Sequence, residues 1–432
     1  MDQNNNYFDL DSINEQNRQE TQEQKKKDRG AFVGGIVVGL VSSLVIVSVV
    51  FLVSRLGIQG TSQKENEILA LSKYDFVNRQ MVDKIESLAA TVREEFYLKE
   101  MTYEELETGI YRGLLDALGD PYSVYYTPRE LEELMNGSAG IYYGIGAYVS
   151  LDPETGLPKI SGVIKGTPAE EVGLRSNDLL YEIDGVSAYG LSLSEAVDLI
   201  KGEENTQVVL NLIRDGDPIE ISVTRRRVES PTVESEMLEQ KMGYIQITEF
   251  DDVTTSQFTS ALEGLKLSGM KGLILDLREN PGGNLDTVVK IAQNLLPEGI
   301  IVYTEDKEGR RMNYRCKGDK EIQIPMVVLV DMNSASAAEI LAGAIQDYGK
   351  GTLVGTTTFG KGIVQSVMDL RDGSAIKITI SSYYTPNGRN IHGIGIEPDI
   401  VCEFDGALYY DTENPIDNQL EKAKEVLLEM MK

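Results

Sequence analysis

Apolar and polar positions follow three regimes along this chain, and the changes between them divide it. Met1 to Gln24 has no period: it is rich in Asn, Gln, Asp and Glu with few large apolar residues, a composition that cannot bury a core and predicts disorder. Lys25, Lys26, Lys27 and Arg29 then lead into an uncharged run from Ala31 to Val53, long enough to cross a bilayer as a helix. The basic cluster before the run, against the lone Arg55 just after it, predicts a cytoplasmic N-terminus. A cleaved signal peptide is the competing reading, but the run is long and no small-x-small site follows it. The expected arrangement is a cytoplasmic tail over residues 1–30, a retained transmembrane anchor over 31–53 and a polar linker over 54–73.

Over residues 74–138 apolar residues recur at helical spacing, first Phe76, Met81, Ile85 and Leu88, later Leu106, Ile110, Leu114 and Leu118. Two or three amphipathic helices are expected, capping the next domain as a small bundle. Over 139–228 the period shortens: GIGAYVS, KISGVI, DLLYEIDG, QVVLNLIRDG and IEISVTRRR are β-rich runs separated by turns, with one helical piece, LSLSEAVDLIKG. From there to the end, over 229–432, strands such as YIQITEF, GLILDLRE and GIIVYTE alternate with helical segments, which argues an α/β domain of stacked sheet and helices.

Candidate chemistry concentrates between Val327 and Gln365. Val327 to Val330 is an apolar run of strand length, and Ala335 to Gln346 carries apolar residues at helical spacing, so a helix begins where a strand ends. Ser336 lies at that junction, where free backbone N–H groups and the helix dipole favour a developing negative charge. It reads either as a helix N-cap or as an acyl-transfer nucleophile, and a nucleophile needs a base. The chain has one histidine, His392 in NIHGIGIEPD, whose plainer role is a surface or packing residue. Lys361 is the other candidate: burial beside Phe359, Ile363 and Val364 would lower its pKa, and Gly360 and Gly362 allow close backbone approach. Gly355 to Lys361 also spells GTTTFGK, the start of a phosphate-binding loop. Gly362, however, stands where a magnesium-binding Ser or Thr is required, and the following IVQSVMDL is strand-like, so no nucleotide partner is expected.

Composition narrows the choice. A net charge of -28 over 432 residues disfavours a nucleic-acid partner. Cys316 and Cys402 are too few for a disulfide framework and read as two unpaired packing residues, with a single disulfide left open; one histidine makes a metal site unexpected.

Four separated motifs then agree in order: LGDPYS at Leu118 to Ser123, DLRENPGG at Asp276 to Gly283, SASAAEI around Ser336, and FGKG around Lys361 with Gln365 four positions on. With them the chain resembles the carboxy-terminal processing (tail-specific) serine peptidases. That resemblance implies a multidomain protein: an N-terminal transmembrane helix, a helical segment, a PDZ-like β domain and an α/β crotonase-like (ClpP-like) peptidase domain. It implies a Ser-Lys dyad, with Ser336 as nucleophile, Lys361 as general base and Gln365 holding the lysine. Ala338, where the family often has another serine, is a departure that touches nothing essential. A straight strand rises about 3.3 Å per residue, so Lys361 and Gln365 would share a face yet stand roughly 13 Å apart; contact requires a bend, which Gly362 could supply.

A tetrahedral oxyanion needs two donors, assigned to the N–H groups of Ala337 and of Gly282 or Gly283. The β domain resembles a PDZ domain, with Tyr143, Gly144, Ile145 and Gly146 as its carboxylate-binding loop. Successive backbone N–H groups can hold a terminal carboxylate while an exposed strand edge adds the peptide as a strand. Ala196, Val197 and Ile200 would line that groove or belong to the core. The expected protein is a single-pass plasma-membrane serine endopeptidase with an extracytoplasmic catalytic domain. It would bind free C-terminal tails of unfolded or tail-exposing proteins and need no cofactor. A non-catalytic, membrane-tethered PDZ scaffold is the alternative.

Overall fold

The computed structural model describes residues 77–432, so the tail, the apolar run and the linker lie outside the described residues. Among the described residues no helix is long and apolar enough to cross a membrane. One compact unit ends at Thr102 and a second runs Tyr103–Lys432. The first contains α1 (Arg79–Glu95), started by Asn78, whose side chain accepts the Met81 N–H.

The second unit opens with α2 (Tyr103–Asp116), β1 (Val124–Tyr126) and α3 (Pro128–Ala139). Thr127 and Glu130 form a capping box that fixes the start of α3. No residue of α1 is buried. In the second unit no residue of α2 or α3 is buried either, and β1 joins the peptidase-side sheet described below.

The β domain follows: β2 (Ile141–Gly144), β3 (Ala147–Leu151), β4 (Pro158–Val163), α4 (Pro168–Glu171), β5 (Leu179–Ile183), β6 (Val186–Ser187), α5 (Leu193–Ile200), β7 (Gln207–Arg214), β8 (Asp217–Thr224) and β9 (Arg226–Glu229). Its sheet runs β3-β4-β5-β7-β8, with β6 on β5. In β7 strict alternation turns Val208, Leu210 and Leu212 inward, onto Ile160, Leu180, Ala196 and Ile200. β2 and β9 pair separately as a two-stranded ribbon, and the Ser230 N–H donates to the Gly140 carbonyl at 2.8 Å. The chain thus leaves and rejoins the rest of the unit at one place.

The α/β part comprises β10 (Val233–Met237), β11 (Met242–Ile247), α6 (Thr254–Leu267), β12 (Gly272–Asp276), α7 (Leu285–Ala292), β13 (Gly299–Asp306), β14 (Arg311–Cys316), β15 (Met326–Val330), α8 (Ala337–Asp347), β16 (Thr352–Gly355), β17 (Ile363–Asp369), β18 (Ala375–Tyr384), β19 (Ile400–Val401), α9 (Gly406–Tyr409) and α10 (Asn418–Met430). One sheet runs β10-β11-β12-β15-β16-β19, parallel except for β10. β12 and β15 are buried throughout, as parallel strands covered on both faces must be. Met326, Val328 and Val330 face the core shared with α6, α7 and α8, while Val327 and Leu329 face Ala423 and Leu427 of α10. The second sheet runs β1-β18-β13-β14, with β17 on β18. Cys316 and Cys402 are both free.

Candidate active site

Ser336 stands between β15 and α8, on a turn fastened to the neighbouring strand's loop. Asp331 accepts the N–H groups of Asn333 and Ser334, both at 3.0 Å. Fully buried Ser334 donates its hydroxyl to the Leu277 carbonyl at 2.8 Å, and the Ala335 N–H donates to the Asn280 carbonyl at 2.9 Å. Between these ties Ser336 adopts φ 53°, ψ −112°, a conformation that a non-glycine residue keeps only when its surroundings enforce it.

The lysine turn is joined to this serine turn by one side chain. Glu339, fully buried in the first turn of α8, accepts the N–H of Ser336 at 2.8 Å, the N–H of Lys361 at 2.9 Å, the N–H of Gly360 at 2.7 Å and the Thr358 hydroxyl at 2.6 Å. Tyr383 adds a second tie: its hydroxyl bonds to the carbonyl oxygens of Ser336 and Lys361, and burial pushes its pKa well up. Backbone donors and acceptors on both turns are thereby held in register by β18 and α8.

The Lys361 ammonium lies 4.5 Å from the centre of the Tyr122 ring, a cation–π contact. Burial, then the Lys377 charge, lower its pKa against the opposing pull of Asp120 and Glu339; a lysine so placed loses its proton more readily than one in water. Asp120 accepts the Ser123 hydroxyl at 2.6 Å, the Thr379 hydroxyl at 2.6 Å and the Tyr122 N–H at 3.1 Å. Burial pushes the Asp120 carboxyl up, but these hydrogen bonds outweigh it and hold its pKa below the usual range. The LGDPYS turn is thus pinned to β18 and presents Tyr122 to the lysine.

Gly282 approaches Ser336 closely: a Cβ there would lie 2.7 Å from Ser336 Cβ and 3.0 Å from the Ala337 nitrogen, and its φ is +108°. The Gly282 N–H is committed to Asn280 Oδ1 at 2.8 Å. The N–H groups of Ala337 and Gly283 have no acceptor among the described residues. Of the two glycines proposed as donors, Gly283 therefore keeps its N–H free.

Gln365 does not hydrogen-bond to Lys361 in this structure. The strand register shifts between Val364 and Gln365, and the Gln365 amide donates to Thr379 Oγ1 at 3.1 Å, so its link to the lysine's surroundings runs through Thr379 and Asp120. His392 is exposed; its backbone packs on Gly362, where an added Cβ would meet the His392 nitrogen at 2.6 Å. In the β domain, Ile145, Ala196 and Ile200 are buried in the core, Val197 is half-buried and Tyr143 exposed. Gly144 and Gly146 are buried as well, and the N–H groups of Ile145 and Gly146 have no acceptor among the described residues. β3 is an edge strand beside α5.

Residues 241–402 match Peptidase family S41, and residues 159–214 match the PDZ domain. The chain is 34% identical over 371 residues to the carboxyl-terminal-processing protease of Synechocystis sp., covering 84% of this chain and 87% of that one. The chain belongs to peptidase family S41. It is also 35% identical over 323 residues to the carboxy-terminal processing protease CtpA of Bacillus subtilis, covering 74% of this chain and 69% of that one. Among solved structures it is similar to a photosystem II D1 C-terminal processing protease, with 29% identity, a TM-score of 0.46, and coverage of 78% of this chain and 96% of that one. This S41 chain is a serine peptidase of the C-terminal processing kind, and it carries a PDZ domain.

Sequence reasoning missed Glu339, Tyr383, Asn280 and Asp120 as site residues. Glu339 had a local signal: three residues after Ser336, it completes the S-x-x-E pattern of a helix start. Asp120 and Asn280 bond locally too, to Tyr122 and Ser123 and to Gly282, but the contacts that place them in the site, to Thr379 and to Ala335, are distant in sequence, as are those of Tyr383.

Proposed function

We propose that this S41 peptidase cleaves protein substrates through an acyl-enzyme on Ser336, with Lys361 as general base. The observation that carries the reading is the Glu339 carboxylate, which binds the backbone N–H groups of both residues and so fixes the two turns against each other. In the reaction Lys361, as neutral amine, swings from the Tyr122 ring to take the Ser336 hydroxyl proton, and the serine oxygen attacks the substrate carbonyl. The free N–H groups of Ala337 and Gly283 receive the oxyanion. Lys361 then returns the proton to the leaving amine, water hydrolyses the ester, and no cofactor enters the cycle. Gln365 orients the lysine indirectly, by holding Thr379 against Asp120.

The PDZ domain is the receptor for a substrate's free C-terminus. The unpaired N–H groups of Ile145 and Gly146 would hold the carboxylate, and the open edge of β3 would take the tail as an added strand. The fold of the peptidase part is read as crotonase-like. Residues 31–53 are assigned as a membrane anchor with the N-terminus in the cytoplasm, which puts the peptidase on the extracytoplasmic side.

The test is proteolysis of an unfolded reporter ending in an apolar free carboxylate, by a soluble form beginning after Val53. Wild type is expected to cleave it, Ser336→Ala and Lys361→Ala are not, and amidating the reporter's C-terminus should slow wild type. Cleavage surviving Lys361→Ala would move the base role to another residue.

A further inference from the structure

A cleft of about 650 Å3 lies between the Leu118–Ser123 turn, β17, β18 and the His392 turn, and the reaction described above gives it no role. Lys361 does not line it but is one side chain away: Tyr122, which lines it, carries Lys361 Nζ over its ring at 4.5 Å, and the lining residue Ile363 lies two residues beyond Lys361. Its size is that of a ligand pocket. The walls are apolar, formed by Leu118, Pro121, Tyr122, Ile363 and Ile378, and Leu118 leaves 55% of its surface to water. His392, which is exposed, also lines it, while Asp120, Ser123 and Thr379 are already engaged with one another. Asp120 accepts from Ser123, Thr379 and Tyr122, and Thr379 accepts from Gln365. A polar ligand group could bond to them only by breaking those bonds, whereas an apolar one needs only to displace water.

We propose that this cleft receives the side chain of the substrate residue whose nitrogen leaves, and that it selects an apolar side chain there. The inference rests on Ser336 and Lys361 acting as described above. To return its proton Lys361 must reach the leaving nitrogen, so the residue bearing that nitrogen is held within reach of the lysine, on the side where Tyr122 opens onto the cleft. The same pocket then governs the reverse of acylation. An added amine attacks the acyl carbon, the Ser336 ester bond breaks, and the amine's proton passes through Lys361 to the serine oxygen.

The test uses a peptide thioester whose leaving group has no side chain, with leucinamide and glycinamide competing against water for the acyl-enzyme. Wild type is expected to transfer the acyl group to leucinamide at least tenfold better than to glycinamide. Leu118→Asp, a change at an exposed position, should cut that ratio about tenfold. A wild-type ratio near one, or a ratio unmoved by Leu118→Asp, overturns the proposal. Thioester turnover that persists in Ser336→Ala would instead overturn the serine mechanism. The pocket is then read without catalysis, from methyl NMR shifts of Ile363 and Ile378 in Ser336→Ala on titration with each amine. Shifts with leucinamide alone support the pocket, and no shifts, or equal shifts with both, overturn it.

Discussion

Glu339→Gln is the sharpest perturbation of the geometry that joins the Ser336 and Lys361 turns. The carboxylate takes four donors, Thr358 Oγ1 and the Gly360 N–H on one oxygen and the N–H groups of Ser336 and Lys361 on the other. Glutamine keeps the shape but offers one oxygen, so whichever way the amide turns, two buried donors face an NH2 group. Each stranded donor costs about 1–3 kcal/mol, or about 2–6 kcal/mol for the pair. Thermal unfolding should register that as a fall of about 5–20 °C, at a few degrees per kcal/mol. Displacing the serine turn from the lysine turn should lower kcat by about 100-fold, with KM for a tail-bearing reporter changed far less, because the PDZ domain is untouched. Thr358→Val provides the graded comparison: it removes one of the four donors and strands one buried group, the Ile396 N–H that donates to Thr358 Oγ1 at 2.8 Å, and should cost about 1–3 kcal/mol. A Glu339→Gln protein that melts with wild type and keeps its kcat would refute the claim that this carboxylate holds the site together.

Three further outcomes are expected. Gly282→Ala should fold yet lose kcat by at least about tenfold in steady-state assays, because its Cβ would come within 2.7 Å of Ser336 Cβ at a φ of +108°. With Lys361 as the proposed base, acting when neutral, activity falls as pH drops through its pKa; Lys377→Gln removes a charge that lowers that pKa, and the pH–rate limb should therefore move to higher pH. Arg278→Met leaves Asp276, fully buried, and Asp417 without the guanidinium that bonds both, and denaturant titration should show a loss of about 3–5 kcal/mol.

Several parts of this architecture can be read from local sequence, and others cannot, for reasons that differ by element. The strand-turn-helix around Ser336 is legible because a β-branched run meets helical periodicity there. β1 is not, because three residues are too few to show alternation, and Val124–Tyr126 is a strand only through its pairing with β18. Ala196 and Ile200 sit on the apolar stripe of α5, and spacing alone does not separate a groove wall from a core; burial assigns both to the core. Gln365 shows the limit of ideal strand geometry: a straight strand would hold it far from Lys361, and the register shift sends its amide to Thr379, a partner fourteen positions away. Asp120 and Thr379 are separated by most of the chain, so their bond leaves no trace in any window of sequence.

The single crossing point of the PDZ domain makes it interchangeable. Gly140 and Ser230 are already joined by a 2.8 Å hydrogen bond, so a short turn could close the gap left by excising everything between, with little loop-closure entropy. An insertion whose ends meet can be exchanged for another module without disturbing the sheet that carries Ser336. Address and chemistry are thereby separable units: new tail preferences can be grafted onto one cutting engine.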